Sequence, residues 1–334
     1  MSLKLNERYP GRFNNPSANY PQGSFKNRTT PTAKDGSYLE QDWANDKEGF
    51  FQSLLSAAGI VANGTVDTVG NSQFYDSMQQ IVKNMIKDSA PITGSVRNAR
   101  MSISTASGSA SLVADEVVVK SALGGHAYLL PSFNKSINLA TTGVGGMDTG
   151  TAPVSGFVGI YAIFNPTTGV SGLLAVNATT TRLPQIYGGA NMPSGHTASA
   201  LLTVVPTNSS GLISQCVVRD RRVYIAPTVG YATTSIVSTT TVYVGIIPFN
   251  AAEVSGMISL SCTAAGQVSL TVAGGTGNTN TGSATSTVTL IANGASSMPF
   301  SSVPVVDNAS LVVGTSNTSS GTSTCSLIIS GYSL

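Results

Sequence analysis

The chain has 334 residues, 41% hydrophobic and 10% charged, with a net charge of +2. An average soluble domain carries roughly 25% charged residues, so capture of a polyanion by bulk charge is excluded, and the apolar share excludes a disordered chain. The longest apolar stretch, residues 54–62, is interrupted and too short to cross a bilayer, and no basic segment followed by an apolar run opens the chain; a soluble protein of two or three domains is expected, with no signal peptide and no membrane insertion.

Residues 1–40 show no helical or strand period. Pro10, Pro16, Pro21 and Pro31 interrupt them, yet aromatics recur at Tyr9, Phe13, Tyr20, Phe25 and Tyr38. Disordered tails are poor in aromatics; an extended arm whose aromatics dock into a partner fits better. Two helices follow. Asp46 is placed to cap the first, with Phe50, Phe51, Leu54, Leu55 and Ala58 on one face and Gly59 at its C′ position. The second starts near Asn71 or Ser72, carries the stripe Phe74, Met78, Ile81, Val82 and Met85, and stops before Pro91. Each helix has one oily face. It needs the other helix, the β region or further copies of the chain to cover it.

From about residue 99 the pattern changes to β. Residues 112–119, 157–164, 201–205, 223–226 and 242–247 are rich in branched and aromatic side chains, separated by Gly, Pro, Asn and Thr. Residues 157–164 are nearly all apolar, as in a strand covered on both faces. Ile258, Leu260 and Cys262 alternate with serines, and after Ala264-Ala265-Gly266 the alternation resumes at Val268, Leu270 and Val272, which reads as a hairpin. Val288 and Leu290 precede an Asn293-Gly294 turn, and Cys325, Leu327 and Ile329 form a last strand. Residues 274–282 and 314–321 read as long loops. The fold class expected is mainly β: antiparallel β-sandwich domains preceded by an extended arm and two short amphipathic helices. Domain boundaries are placed at 1–90, 91–228 and 229–334.

Candidate chemistry is sparse. His126 and His196 are the two imidazoles, and neither has metal-ligand spacing. Ser194 beside His196 lacks a Gly-x-Ser-x-Gly elbow. Asp148, among glycines, is the best lone carboxylate for glycoside cleavage, and its plain reading is a turn residue bonding its own backbone. Gly143-Val144-Gly145-Gly146 lacks the Gly-Lys-Ser/Thr ending of a phosphate loop. Arg219, Arg221 and Arg222 flank Asp220; such a cluster suits an anionic sugar, a neighbouring subunit or a solvated strand end. Beyond Arg222 there is no Lys or Arg, and the acidic residues are Glu253 and Asp307. Ser and Thr make up about a quarter of the chain. A surface solubilised by hydroxyls suits neutral glycans or self-association, and Ser and Thr also simply fill outward strand positions. Cys216, Cys262 and Cys325 are widely spaced and odd in number, as expected of small buried hydrophobes.

One part of the chain is specific in wording. Met1-Ser2-Leu3-Lys4-Leu5-Asn6-Glu7-Arg8-Tyr9-Pro10-Gly11-Arg12-Phe13 resembles the start of tail fibre proteins of tailed bacteriophages and prophages. So do Tyr20-Pro21-Gln22-Gly23-Ser24-Phe25-Lys26-Asn27-Arg28-Thr29 and Asp35-Gly36-Ser37-Tyr38-Leu39-Glu40-Gln41-Asp42-Trp43-Ala44-Asn45-Asp46-Lys47-Glu48-Gly49-Phe50-Phe51. A weaker likeness runs through Ser132-Phe133-Asn134-Lys135-Ser136-Ile137-Asn138-Leu139-Ala140 and Tyr187-Gly188-Gly189-Ala190-Asn191-Met192-Pro193, and none is found beyond about residue 225.

The resemblance implies a homotrimer on the virion tail, assembled in the host cytoplasm. Its N-terminal region would attach to baseplate or tail-tip proteins, and the residues assigned there are Tyr9, Phe13, Tyr20, Phe25, Trp43, Phe50, Phe51 and Leu54. Its C-terminal β domain would meet a host surface glycan or outer-membrane protein by multivalent weak contacts. The loop residues assigned to that contact are Asn278, Asn280, Ser316, Asn317 and Thr318; the plain reading of each is a solvated loop. A structural baseplate adaptor and a polysaccharide-degrading tailspike are the alternatives. No catalytic residue, cofactor, metal or nucleic-acid partner is assigned.

Overall fold

Elements form where the local signals are strongest, and two compact units result, Met1–Ser89 and Ala90–Leu334. The computed structural model describes residues 3–88, 92–275, 279–306 and 308–334. In the first unit a one-turn helix, α1 (Leu5–Arg8), precedes a short hairpin of β1 (Phe13–Asn14) and β2 (Ser24–Phe25), with Phe13 opposite Phe25. The arm is therefore partly folded on itself rather than extended throughout. Its aromatics are the cause. Tyr9, Phe13, Phe25 and Trp43 stack in series, at centroid distances of 5.7, 5.0 and 5.3 Å.

Helix α2 (Gln41–Ala58) begins five residues ahead of the expected Asp46 cap. Its first turn lacks a side-chain cap. Instead the arm holds it, through an Arg8–Asp42 ion pair and Trp43 against Phe25. It ends as expected. Gly59 adopts φ +68°, and the N–H groups of Gly59 and Ile60 donate to the carbonyls of Ser56 and Leu55, a closure that a left-handed residue permits. Helix α3 (Gln73–Asp88) is capped by Ser72, whose Oγ accepts from the Tyr75 N–H. The Asp67 carboxylate accepts from Ser72 Oγ and the N–H groups of Gln73 and Phe74. Phe51 and Phe74 join the helices at 4.7 Å. The oily faces stay open: Phe50, Met78, Val82 and Met85 are all more than half exposed.

The second unit is built of β3 (Val96–Arg97), β4 (Arg100–Ile103), β5 (Ser109–Lys120), β6 (Ala127–Asn138), β7 (Phe157–Asn165), β8 (Val170–Asn177), β9 (Ala198–Pro206), β10 (Cys216–Arg219), β11 (Arg222–Thr233), β12 (Thr240–Tyr243), β13 (Glu253–Cys262), β14 (Gly266–Gly274), β15 (Thr281–Leu290), β16 (Gly294–Pro304), β17 (Ser310–Asn317) and β18 (Ser323–Ser333). One sheet runs β16-β13-β18-β11-β10-β4-β5-β9-β7-β8, with β3 and β6 also on β5; a second runs β12-β17-β14-β15. The ladders between these strands are antiparallel, which makes the fold mainly β as expected.

Strand β7 lies between β8 and β9. Its alternate residues enter two cores: Val158, Ile160 and Ala162 join one, and Phe157, Tyr161 and Ile163 the other. That explains its unbroken apolar run. Towards the C-terminus, Ile258 and Leu260 of β13 and Leu327 and Ile329 of β18 share one core with Leu270 and Val272 of β14 and Leu311 and Val313 of β17.

Two expectations change here. The hairpin expected across Ala264-Ala265-Gly266 does not form. β13 pairs with β16 and β18, β14 with β15 and β17, and the connection crosses from one sheet to the other. Alternation buries one face of each strand equally well in either arrangement. The boundary drawn at 228/229 also falls inside β11, where Thr228 and Val229 pair with Ile329 and Ile328 of β18. Residues on both sides of it thus share one sheet and one core.

Candidate functional site

The sequence alternates outward and inward residues along β4 and β10. Pairing with β11 turns that alternation into ordered rows. Arg100, Arg219 and Arg222 lie in register across the three strands, followed by Ser102, Val217 and Tyr224. All six are exposed. The rows between them, Met101, Val218 and Val223, and then Ile103, Cys216 and Ile225, are turned to the core. The two-residue turn Asp220-Arg221 closes the β10–β11 hairpin, Asp220 at φ +50°.

A trough follows this face. Its widest part, about 690 Å³, is lined by Ser104, Thr105, Asn208, Gln215, Thr228 and Ile246 among others, with no charged side chain. A smaller hollow of about 330 Å³ continues it past Ser102, Val217 and Tyr224. A third, about 310 Å³, ends between Arg100 and Arg219. Part of the lining is committed to the fold. Thr207 Oγ1 donates to the Pro153 carbonyl and accepts from the Gly156 N–H, and Asn208 Oδ1 accepts from the N–H groups of Ser210 and Leu212. Among the described residues, the side chains of Ser104, Thr105 and Gln215 have no hydrogen-bond partner. The trough therefore offers free hydroxyl and amide groups, an exposed tyrosine ring and, at one end, guanidinium groups.

The arginine cluster seen in the sequence divides. Arg219 and Arg222 stand on the outward face, whereas Arg221 is drawn inward. It donates to the carbonyls of Leu334 and Leu201 at 3.1 and 3.2 Å and to Gln185 Oε1 at 3.3 Å, pinning Leu334, and burial lowers its pKa. Arg100 replaces it in the row, from a strand over a hundred residues away in the chain. The parity of Arg100 and Ser102 was the only trace of this in the sequence.

The four described loop residues assigned to receptor contact lie elsewhere. Asn278 is outside the described residues, and Asn280 is exposed. Ser316 Oγ shares a 2.6 Å hydrogen bond with Ser269 Oγ. Asn317 accepts from the Ser319 N–H and donates to the Gly321 carbonyl, and Thr318 Oγ1 accepts from the Gln267 N–H. Asn317 and Thr318 thus build the β17–β18 turn. Asp148 follows its plain reading: Oδ1 accepts from the Thr149 N–H at 2.8 Å and Oδ2 from the Tyr187 hydroxyl at 2.9 Å. Burial and that carboxylate raise the Tyr187 pKa. His196 Nδ1 lies 3.3 Å from the Ser194 carbonyl oxygen, and Nε2 is buried without a partner. Among the described residues no group of three His, Cys, Asp or Glu is placed to hold a metal. The cysteines are free and buried, and burial pushes the Cys216 thiol up to about 12.

Of the attachment residues, Phe13 is buried within the arm, Trp43 and Tyr9 are half-buried beside it, and Tyr20, Phe25 and Phe50 are exposed. Lys47 sits over the Trp43 ring at 3.8 Å. Phe51 and Leu54 are half-buried in the helical hairpin. Comparison with known proteins finds no family model and no curated protein that matches this chain.

Proposed function

We propose that this chain is a phage tail fibre subunit that recognises a host-cell surface glycan. Its N-terminal unit attaches to the baseplate or tail tip, and three copies cover the open faces of α2 and α3. Recognition takes place in the trough along β4, β10 and β11 rather than in the C-terminal loops. One observation carries this reading: a cleft of about 690 Å³ with uncharged walls and unpartnered hydroxyl and amide groups. Ligand sites of this size are concave, mostly apolar and set with a few polar groups. The wording of residues 1–90 supports the attachment role.

The test is binding of the full chain to immobilised bacterial surface polysaccharides, with Ala226→Trp as the variant. Ala226 is exposed and lines the widest part of the trough, so the indole fills the cleft without entering the core. Binding by the parent chain, lost by at least tenfold in the variant, supports the reading. Virions that carry the variant and adsorb normally would sink it, in favour of a structural adaptor.

A further inference from the structure

We infer that the cationic end of this trough selects an acidic saccharide, its carboxylate or phosphate oxygens held by Arg100, Arg219 and Arg222 and its ring lying against Tyr224. The inference rests on the glycan-recognition reading above and adds the charge of the ligand and the residues that read it.

The three arginines occupy adjacent strands in direct register. Strand spacing places them about 4.8 Å apart, a row of about 10 Å. Like charges directly opposite one another are destabilising. Among the described residues none of the three forms an ion pair, and Asp115, exposed on β5 two residues from Val113, the partner of Arg100, accepts from the Asn98 side chain instead. The ion pairs among the described residues are Lys4–Glu7 and Arg8–Asp42, both in the first unit. The nearest acid in sequence, Asp220, accepts through its Oδ1 from the Ala99 N–H at 2.9 Å. Glu253 lies in the same lateral row, beyond Ser333, and forms no ion pair with Arg222. Arg221, by contrast, has three hydrogen-bond partners. The row therefore carries three guanidinium groups without an ion-pair partner among the described residues.

Guanidinium is the group for an oxyanion, because its planar fork makes two parallel hydrogen bonds to carboxylate or phosphate. The adjoining surface fits a sugar ring. Tyr224, 44% exposed, offers an apolar ring with a hydroxyl. Ser102 and Ser111 line the hollow beside Arg100 and Arg219. Charge complementarity therefore picks an acidic occupant over a neutral one, and the hollow picks a saccharide over a bare ion.

The experiment compares three probes on the full-length chain: oligogalacturonate, its neutral methyl ester and a phosphorylated mannan. Calorimetry is run at low and high salt, with light scattering on every variant. The expected result is that at least one anionic probe binds about tenfold more tightly than the ester, with binding weakened by salt. Arg219→Gln then weakens that probe about tenfold, whereas Arg97→Gln, an equal charge change on β3, leaves it within about twofold. The preferred anion identifies carboxylate or phosphate as the source. Equal binding of ester and acid, with both lost in Ala226→Trp, would overturn the acidic selection while leaving glycan recognition standing. Binding of none of the probes by the parent chain would overturn it too, as would a loss in Arg97→Gln equal to that in Arg219→Gln. So would a fall in molar mass in Arg219→Gln, which would assign the row to contact between copies of the chain.

Discussion

The two units spend their apolar residues differently. Among the described residues of Met1–Ser89 the buried hydrophobic side chains are Leu5 and Phe13, and α2 has no buried residue. In Ala90–Leu334 strands bury Val158, Leu270, Leu311 and Leu327 completely. A sheet stacked on a sheet closes its own core, whereas two helices side by side can each cover only part of an oily stripe. The second unit therefore closes its own core, whereas the first leaves Phe50, Met78, Val82 and Met85 exposed. The difference in charge runs the same way. Ion pairs hold the arm, while the surface of the second unit carries hydroxyl pairs such as the 2.8 Å Ser111–Ser136 and 2.9 Å Thr271–Thr285 contacts.

The sharpest break of this contrast is a matched pair of truncations. Leu270→Ala removes a fully buried side chain and is expected to cost about 3 kcal/mol in denaturant unfolding. Leu54→Ala, on the half-buried face of α2, is expected to cost about 1 kcal/mol or less in a monomeric chain. Equal costs would mean that Leu54 is buried by a neighbour under the conditions used. The next effect is on assembly. Met78→Glu with Val82→Glu puts two charges on the open α3 face and, if the chain is the trimer proposed above, should lower the mass measured by light scattering from about three times 34.1 kDa towards one. An unchanged mass would remove α3 from the interface.

The smallest effect is a pH dependence confined to the first unit. The hydrogen bond from Ser72 and those from the N–H groups of Phe74 and Gln73 hold Asp67 below its ordinary pKa of 3.8. A carboxylate lowered on folding stabilises the start of α3 above that ordinary value. The contribution is lost as pH falls through the lowered one. Helical circular dichroism should thus decline on acidification below about pH 4, and Asp67→Asn should flatten that limb while leaving the strand signal of the second unit in place.

The mainly-β class was legible in the alternation of residues 258–262 and 268–272, the end of α2 in Gly59, and the double burial of β7 in its unbroken apolar run. Each depends on neighbours a few residues apart, so chain-local chemistry is enough to set it. The start of α2 was not legible, because Arg8 and Phe25 hold it from the arm. Nor was the crossing between β13 and β14, since alternation states which face is buried and not which strand lies alongside. The trough shows the same limit. Arg219 and Arg222 stood out in the sequence, but only the antiparallel register of β4, β10 and β11 adds Arg100 and Tyr224 to them and turns Arg221 inward. By itself the sequence determined the types of element and their inward and outward faces, because backbone period and side-chain character are local. Tertiary structure alone decided which faces share a core and which charges share a row, because lateral pairing joins residues that the chain keeps far apart.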